Sequence, residues 1–390
     1  MIPRLVQDLL LSRLITSNKI ILLYGARQVG KTTLVKSLES KLKEEGKRVL
    51  YLNCDIDEDK ATIDTTSRTV IKQLAASSDF LLIDEAQGLT NPGLTLKNIQ
   101  VVLPSLKILA TGSSSFELRN ALSDALTGRY IDFTLFPLSL SEILANDRDE
   151  QNPILTKQKA DALLPSALIH GFYPEVHTEG NPTDKKARLN LLLQSYLYKD
   201  VLSFQRVKNS QAIKDLTRAL AYQIGSELNE NELANRIKID RKTVGNYLTV
   251  LEKSFIIFRA YPYSKNPRRE IGKNYKIYFV DLGIRNALIG DFNPVHLRKD
   301  AGFLWENFLF IERLKSFANQ NTWVESNFWR SYTGAEIDYL EKTASSPLAA
   351  FEFKYTKTSL SKGASSFKKE YGLDVDVISK ENYLDFILNK

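Results

Sequence analysis

The stretch Leu22-Leu23-Tyr24-Gly25-Ala26-Arg27-Gln28-Val29-Gly30-Lys31-Thr32-Thr33 limits the fold of this chain more than any other. An apolar run, a turn bounded by two glycines and the start of a helix follow without a break. The glycines let successive backbone amides curl around an anion at the N-terminus of the coming helix. This is a P-loop. Gly25 through Thr33 form the cradle for a nucleotide, Lys31 places a point charge at the β- and γ-phosphates, and the Thr32 hydroxyl takes one position on Mg²⁺. ATP and Mg²⁺ are therefore the expected ligands. An incidental strand-turn-helix would leave the complete pattern and its setting unexplained.

At 390 residues the chain is too long for one ordinary core, so two or more domains are expected. With 43% hydrophobic and 25% charged residues it reads as soluble and globular. Its apolar runs fall well short of the roughly 20 residues that span a bilayer, so no membrane association is expected. Arg4, Asp8 and Arg13 interrupt the apolar N-terminal residues, which argues against a signal peptide. Cys54 is the one cysteine, so an intramolecular disulfide and a multi-cysteine metal site are excluded. The expected compartment is the cytoplasm. A formal charge of +7 is compatible with nucleic-acid binding without establishing it.

Through residue 138 strands and helices alternate. Strands are expected over 20–24 and 48–54, and helices over 31–45 and 67–76. The run Phe80-Leu81-Leu82-Ile83-Asp84-Glu85 is a buried strand ending in two carboxylates, a Walker B element. Asp84 would help hold Mg²⁺ through its water shell, and Glu85 would polarise the attacking water. A strand over 106–110 leads to Thr111-Gly112-Ser113-Ser114-Ser115, where Thr111 or Ser113 would sense the γ-phosphate. One of these serines would instead cap a helix over 116–126. Arg129 opens a fifth strand and has two readings: a cation on the transferred phosphoryl group, in cis or from a neighbouring subunit of a homo-oligomer, or an ordinary surface arginine. Five strands with helices between them predict a parallel three-layer α/β core.

Residues 139–207 read as a helical lid, with His170 and His177 structural because two histidines without a third ligand make a poor metal site. Residues 208–292 read as a winged helix-turn-helix. A helix over 231–237 and a turn precede a second helix capped by Asp240, whose Val244, Tyr247, Leu248 and Leu251 form a buried face. Arg241, Lys242 and Asn246 then point outward, as on a recognition helix. Two strands, over 255–261 and 275–280, flank a basic connection with Lys265, Arg268, Arg269 and Lys273, suited to DNA phosphates. The alternative role for this block is contact with a protein partner.

Residues 293–390 carry a second chemistry. A helix over 303–317 contains Glu306, and strands over 328–332, 335–340 and 348–354 follow. Asp338, then Glu352-Phe353-Lys354, match the Asp…Glu-x-Lys signature of restriction-endonuclease-like folds. Asp338 and Glu352 would bind a metal ion, and Lys354 would orient a water toward a phosphodiester. The pattern is short, and any amphipathic strand can read Phe-Glu-Phe-Lys.

Taken together, the chain resembles prokaryotic AAA-plus-like P-loop ATPases fused to a C-terminal domain of unknown function, related to the archaeal ATPase family. The resemblance rests on the P-loop, Leu82 to Gln87, Thr111 to Ser114, Gly128-Arg129, Gly171-Phe172-Tyr173-Pro174-Glu175 and Tyr198-Lys199-Asp200-Val201. It continues through Tyr278 to Gly283, Trp305-Glu306-Asn307, Gly334 to Asp338 and Glu352-Phe353-Lys354. It implies an ATP-binding core, a winged-helix middle and a restriction-endonuclease-like end, and names no substrate.

Overall fold

A computed structural model describes residues 2–65, 67–112, 126, 128–146, 152–195, 209–264, 274–356 and 359–388. The chain divides into two compact units, Pro3–Phe136 with Asn319–Asn321, and Pro137–Ala318 with Thr322–Lys390.

The first unit contains β1 (Ile20–Gly25), β2 (Val49–Asn53), β3 (Phe80–Asp84), β4 (Lys107–Gly112) and β5 (Tyr130–Leu135). They pair in the order β2-β3-β4-β1-β5, and every pairing is parallel. All residues of β1 and β3 are buried, which is why both read as unbroken apolar runs. Helix Lys31–Glu44 buries Leu34, Val35, Leu38 and Leu42, and Gly46 beyond its end adopts φ +74°. The strand order sets the C-terminal tips of β3, β4 and β1 side by side, the edge at which open parallel sheets bind ligands. Helices Val6–Thr16, Asp57–Ile63, Arg68–Ser77 and Pro92–Val102 are the other described α-helices of this unit. Residues 113–125, including Ser113 and most of the helix expected over 116–126, lie outside the described residues.

The second unit is built on a mixed sheet of β6 (Ile257–Pro262), β7 (Lys276–Phe279), β8 (Val324–Arg330), β9 (Glu336–Thr343), β10 (Ala349–Phe353) and β11 (Asp376–Ile378). Its order is β11-β10-β9-β8-β6-β7. The pair read from sequence as a wing, β6 and β7, is an antiparallel hairpin, and β6 also pairs in parallel with β8 through Tyr261↔Asn327 and Pro262↔Phe328. The hairpin is thereby part of the C-terminal sheet. Helices Glu230–Ile237 and Arg241–Lys253 form as expected; Asp240 caps the second by accepting from the Thr243 amide at 2.9 Å.

Helix Ala301–Asn319 is buried from Leu304 to Phe317. Its charges survive burial because each has a partner. Arg313 pairs with Glu341 at 2.6 Å. Glu312 takes the Leu140 amide at 2.7 Å and Lys315 at 2.8 Å. Motifs far apart in sequence also meet here. The Asp281 carboxylate accepts from the Phe172 amide at 2.7 Å and the Ile284 amide at 3.2 Å. A Cβ on Gly171, at φ +66°, would stand 2.1 Å from Asp281 Oδ1, and one on Gly283 would stand 2.0 Å from the His170 carbonyl oxygen. Asn307 clamps the backbone of the last β7 residue, accepting from the Phe279 amide at 2.7 Å and donating to the Phe279 carbonyl at 2.8 Å. No helix among the described residues is long and apolar enough to cross a membrane.

Candidate functional site

Two backbone demands shape the phosphate loop. A Cβ on Gly25 would lie 2.3 Å from the Leu135 carbonyl oxygen. Gly30, at φ +97°, turns the chain into the helix through a region that disfavours side chains. That helix starts without a side-chain cap, leaving first-turn amides for an anion. Lys31 is 4% exposed, and its Nζ donates to the carbonyls of Gly25 at 3.1 Å and Ala26 at 2.8 Å. Ala26 and Val29 are buried, whereas Arg27, Gln28, Thr32 and Thr33 face solvent.

Asp84, 1% exposed at the tip of β3, collects the neighbouring hydroxyls. Thr32 Oγ1 donates to its Oδ2 at 2.6 Å and the Tyr51 hydroxyl donates to the same oxygen at 3.1 Å. The Thr111 hydroxyl donates to Oδ1. Burial, then the Asp84 carboxylate, raise the Tyr51 phenol above its ordinary range, so it stays a donor. The Glu85 amide donates to Thr111 Oγ1 at 3.1 Å, and its side chain accepts from Gln87. Glu85 itself sits at φ +51°, a conformation that costs energy outside glycine. A hydroxyl and a carboxylate beside an anion-binding loop are hard oxygen donors of the kind Mg²⁺ takes, so the residues present fit Mg²⁺ and a nucleotide's phosphates.

Arg129 is elsewhere. Its carbonyl accepts from the Ile20 amide at 3.0 Å, and Ile20 pairs with Tyr130 at the opposite end of β1 from Gly25. Five steps at about 3.3 Å per residue separate those ends by about 16 Å, which excludes the cis reading. Two residues without a motif do belong to the site. Arg4 donates to the Val29 carbonyl at 2.7 Å and to the Phe136 carbonyl at 2.8 Å, tying the loop to the strand after it. Tyr51 is the other. Neither gives a sequence signal, because each acts through a partner distant along the chain.

The C-terminal carboxylates also assemble, in a grouping that differs from the expected one. Ligand atoms of Glu306, Glu336 and Asp338 all lie within 4.8 Å of one another. Glu306 comes from the buried helix, whereas Glu336 and Asp338 share a face of β9 by its two-residue alternation. Three carboxylates are a donor set suited to a hard divalent cation. Burial first, then Glu306, push the Asp338 carboxyl above the ordinary carboxylate range, against the pull of Lys276 and the Phe353 amide. Glu352 is outside this group: it accepts from the Ser361 amide at 3.0 Å and pairs with Lys354 at 2.5 Å. Lys276, which no sequence motif marks, brings its ammonium to 2.8 Å from Glu306 Oε1 and also pairs with Glu336.

Of the residues expected to meet DNA, Arg241, Lys242 and Asn246 are exposed, and Arg241 pairs with Glu230 at 3.1 Å. Lys265, Arg268, Arg269 and Lys273 lie outside the described residues. His170 stacks on Phe292 and His177 meets the edge of Phe172; among the described residues neither joins a metal-binding group.

A parallel sheet with this loop and carboxylate defines a P-loop nucleotide-binding unit. The comparisons agree: residues 17–144 match the AAA domain family, whose members bind nucleotide, typically Mg·ATP. Residues 161–294 and 301–384 match two domains of unknown function, DUF8612 and DUF4143. The chain is similar to an uncharacterized protein of Haemophilus influenzae, 27% identical over 306 residues that cover 75% of this chain and 73% of that protein. An uncharacterized protein of Methanocaldococcus jannaschii is 29% identical over 308 residues, covering 69% of this chain and 62% of its own length. Among solved structures, AMPPCP-bound DnaA from Aquifex aeolicus aligns at TM-score 0.30 with 18% identity, covering 63% of this chain and 86% of that one. A replication initiator DnaA bound to AMPPCP and single-stranded DNA aligns at 0.32 with 22% identity, covering 64% and 86%. Such TM-scores are too low to define the fold, which rests on the sheet and the family match.

Proposed function

We propose that this protein binds and hydrolyses Mg·ATP in its N-terminal unit and acts on DNA through its C-terminal half. The observation that carries the reading is the 2.6 Å bond from Thr32 to Asp84, residues 52 apart in sequence and joined beside the phosphate loop. In this reading Gly25 to Thr33 cradle the phosphates and Lys31 turns from its two carbonyls to the β- and γ-phosphates. Thr32 and Asp84 hold Mg²⁺, Glu85 polarises the attacking water, and Thr111 or Ser113 senses the terminal phosphate. Arg129 would reach a phosphoryl group only from a neighbouring subunit, and is otherwise an ordinary surface arginine.

The second unit is read as a helical lid over 139–207, a winged helix over 208–292 whose β6–β7 wing is shared with the following sheet, and a restriction-endonuclease-like domain over 293–390. Its metal would sit among Glu306, Glu336 and Asp338, with Lys354 orienting water beside Glu352. A second reading makes this half a nucleotide-controlled binding module for a protein partner, without cleavage. The seating of Lys276 against Glu306 and Glu336 favours it.

Calorimetry of ATP binding with and without Mg²⁺, for the wild-type chain and Lys31→Ala, tests the N-terminal assignment. Magnesium-assisted uptake in the wild type and its loss in the variant are expected; no uptake in either overturns it. Incubation with linear, circular and branched DNA, alongside Lys354→Ala, separates the two readings of the second unit. Cutting that the variant abolishes supports the nuclease, and no cutting by the wild type leaves the binding module.

A further inference from the structure

We propose that the Lys276 ammonium is the resident cation of the Glu306–Glu336–Asp338 centre, so that a divalent metal enters only when Lys276 leaves. This rests on reading that centre as the metal site of the nuclease-like domain. Lys276 and Tyr278 alternate along β7 and so point to one face. Both reach the same oxygen, Glu306 Oε1, at 2.8 and 2.7 Å. The ammonium also pairs with Glu336. Asp338 meanwhile gives its Oδ2 to the Phe353 amide at 2.7 Å. One oxygen of each of the three carboxylates therefore already faces a positive charge or a protein donor.

Burial makes this a lock and not a passing contact. Lys276 is 1% exposed, so its ammonium has traded its water shell for these carboxylates. Its backbone is held in the β6–β7 ladder opposite Ala260. A divalent ion entering the same space meets repulsion from the ammonium and must compete for Glu306 and Glu336. The first effect of activation at this centre is then a movement of the Lys276 side chain, or of the strand that bears it, away from Glu306. A nuclease-like domain closed in this way stays silent until that movement occurs.

The test is titration of the full chain with Mn²⁺ alone, without nucleotide, read by calorimetry and by thermal melting. Wild type is expected to bind no better than Asp338→Asn. Lys276→Met is expected to gain a site at least about tenfold tighter, to melt higher when Mn²⁺ is added, and to lose both gains in Lys276→Met/Asp338→Asn. Lys276→Arg, which keeps the charge, is expected to gain nothing. Wild-type binding that Asp338→Asn removes would overturn the lock, and so would a folded Lys276→Met with no gain. If Lys276→Met fails to fold, Lys276→Gln, neutral and of similar length, is expected to make the same gain, and a folded Lys276→Gln with no gain would overturn the lock. Failure of the nuclease reading would appear separately, as absence of DNA cleavage by every variant while the Mn²⁺ gain persists.

Discussion

Thr32 Oγ1 and Asp84 Oδ2 stand 2.6 Å apart, which brings the residue after the P-loop lysine to the tip of β3. In the proposed reading Thr32 takes one position on Mg²⁺ and Asp84 helps hold the ion through its water shell, so the ion would replace a hydrogen bond that the two side chains already share. Thr32→Ala and Asp84→Asn should both weaken ATP binding in Mg²⁺ more than in EDTA. Asp84→Asn should also lower turnover by roughly a hundredfold or more, on the scale of losing one electrostatic partner of the reacting group. Calorimetry and phosphate release read these effects; equal weakening with and without Mg²⁺ would remove the pair from the metal site.

Arg4 braces the loop from outside it, through the carbonyls of Val29 and Phe136. Arg4→Ala removes both charged hydrogen bonds and should cost about 1.5–3 kcal/mol of stability in denaturant titration. ATP affinity should fall as well, because the loop loses its tie to the end of β5. Unchanged affinity with lowered stability would make Arg4 a structural residue only.

Gly171→Ala should disrupt the second unit. The added carbon would collide with the Asp281 carboxylate at 2.1 Å, at a φ of +66° that already strains any side chain. Overpacking of this kind costs about 1–3 kcal/mol before the backbone strain is added. Gly180→Ala, whose new carbon meets nothing within 4 Å, is the control. Melting curves that rank the two alike would contradict the packing described here.

Acid should destabilise the second unit partly through His170. Burial, then nearby Lys185, lower its imidazole from 6.5 to about 4. Between those values the unfolded chain binds the extra proton and the folded one does not, so stability falls as pH drops from about 6.5 to about 4. His177 is lowered in the same direction by burial. His170→Gln should flatten that part of the pH–stability curve, as followed by denaturant midpoints at several pH values. An unchanged slope would show that His170 titrates normally.

Local pattern was enough to place the strands of the first unit, the P-loop, the Walker B carboxylates and most helices of the second. These features depend on neighbours along the chain: apolar runs for buried strands, glycines for a turn, a cap before a helix. Arg4, Tyr51 and Lys276 were invisible by the same standard, since no residue near them in sequence marks what they touch. Arg129 shows the converse limit. Its neighbours left contact in cis, contact from a neighbouring subunit and a surface role all open, and only the parallel register places it at the end of β1 remote from Gly25.

By itself, then, the sequence determined that a nucleotide loop follows the strand over 20–24 and that carboxylates recur in the C-terminal block, because both are written in short spacings. Tertiary structure decided which charges meet. It joined the β6–β7 hairpin to β8, carried Lys276 to Glu306, and left Glu352 with Ser361 and Lys354. The physical reason is that sheet pairing is non-local: strand register, set by burial across the whole sheet, chooses the partners of each charged side chain.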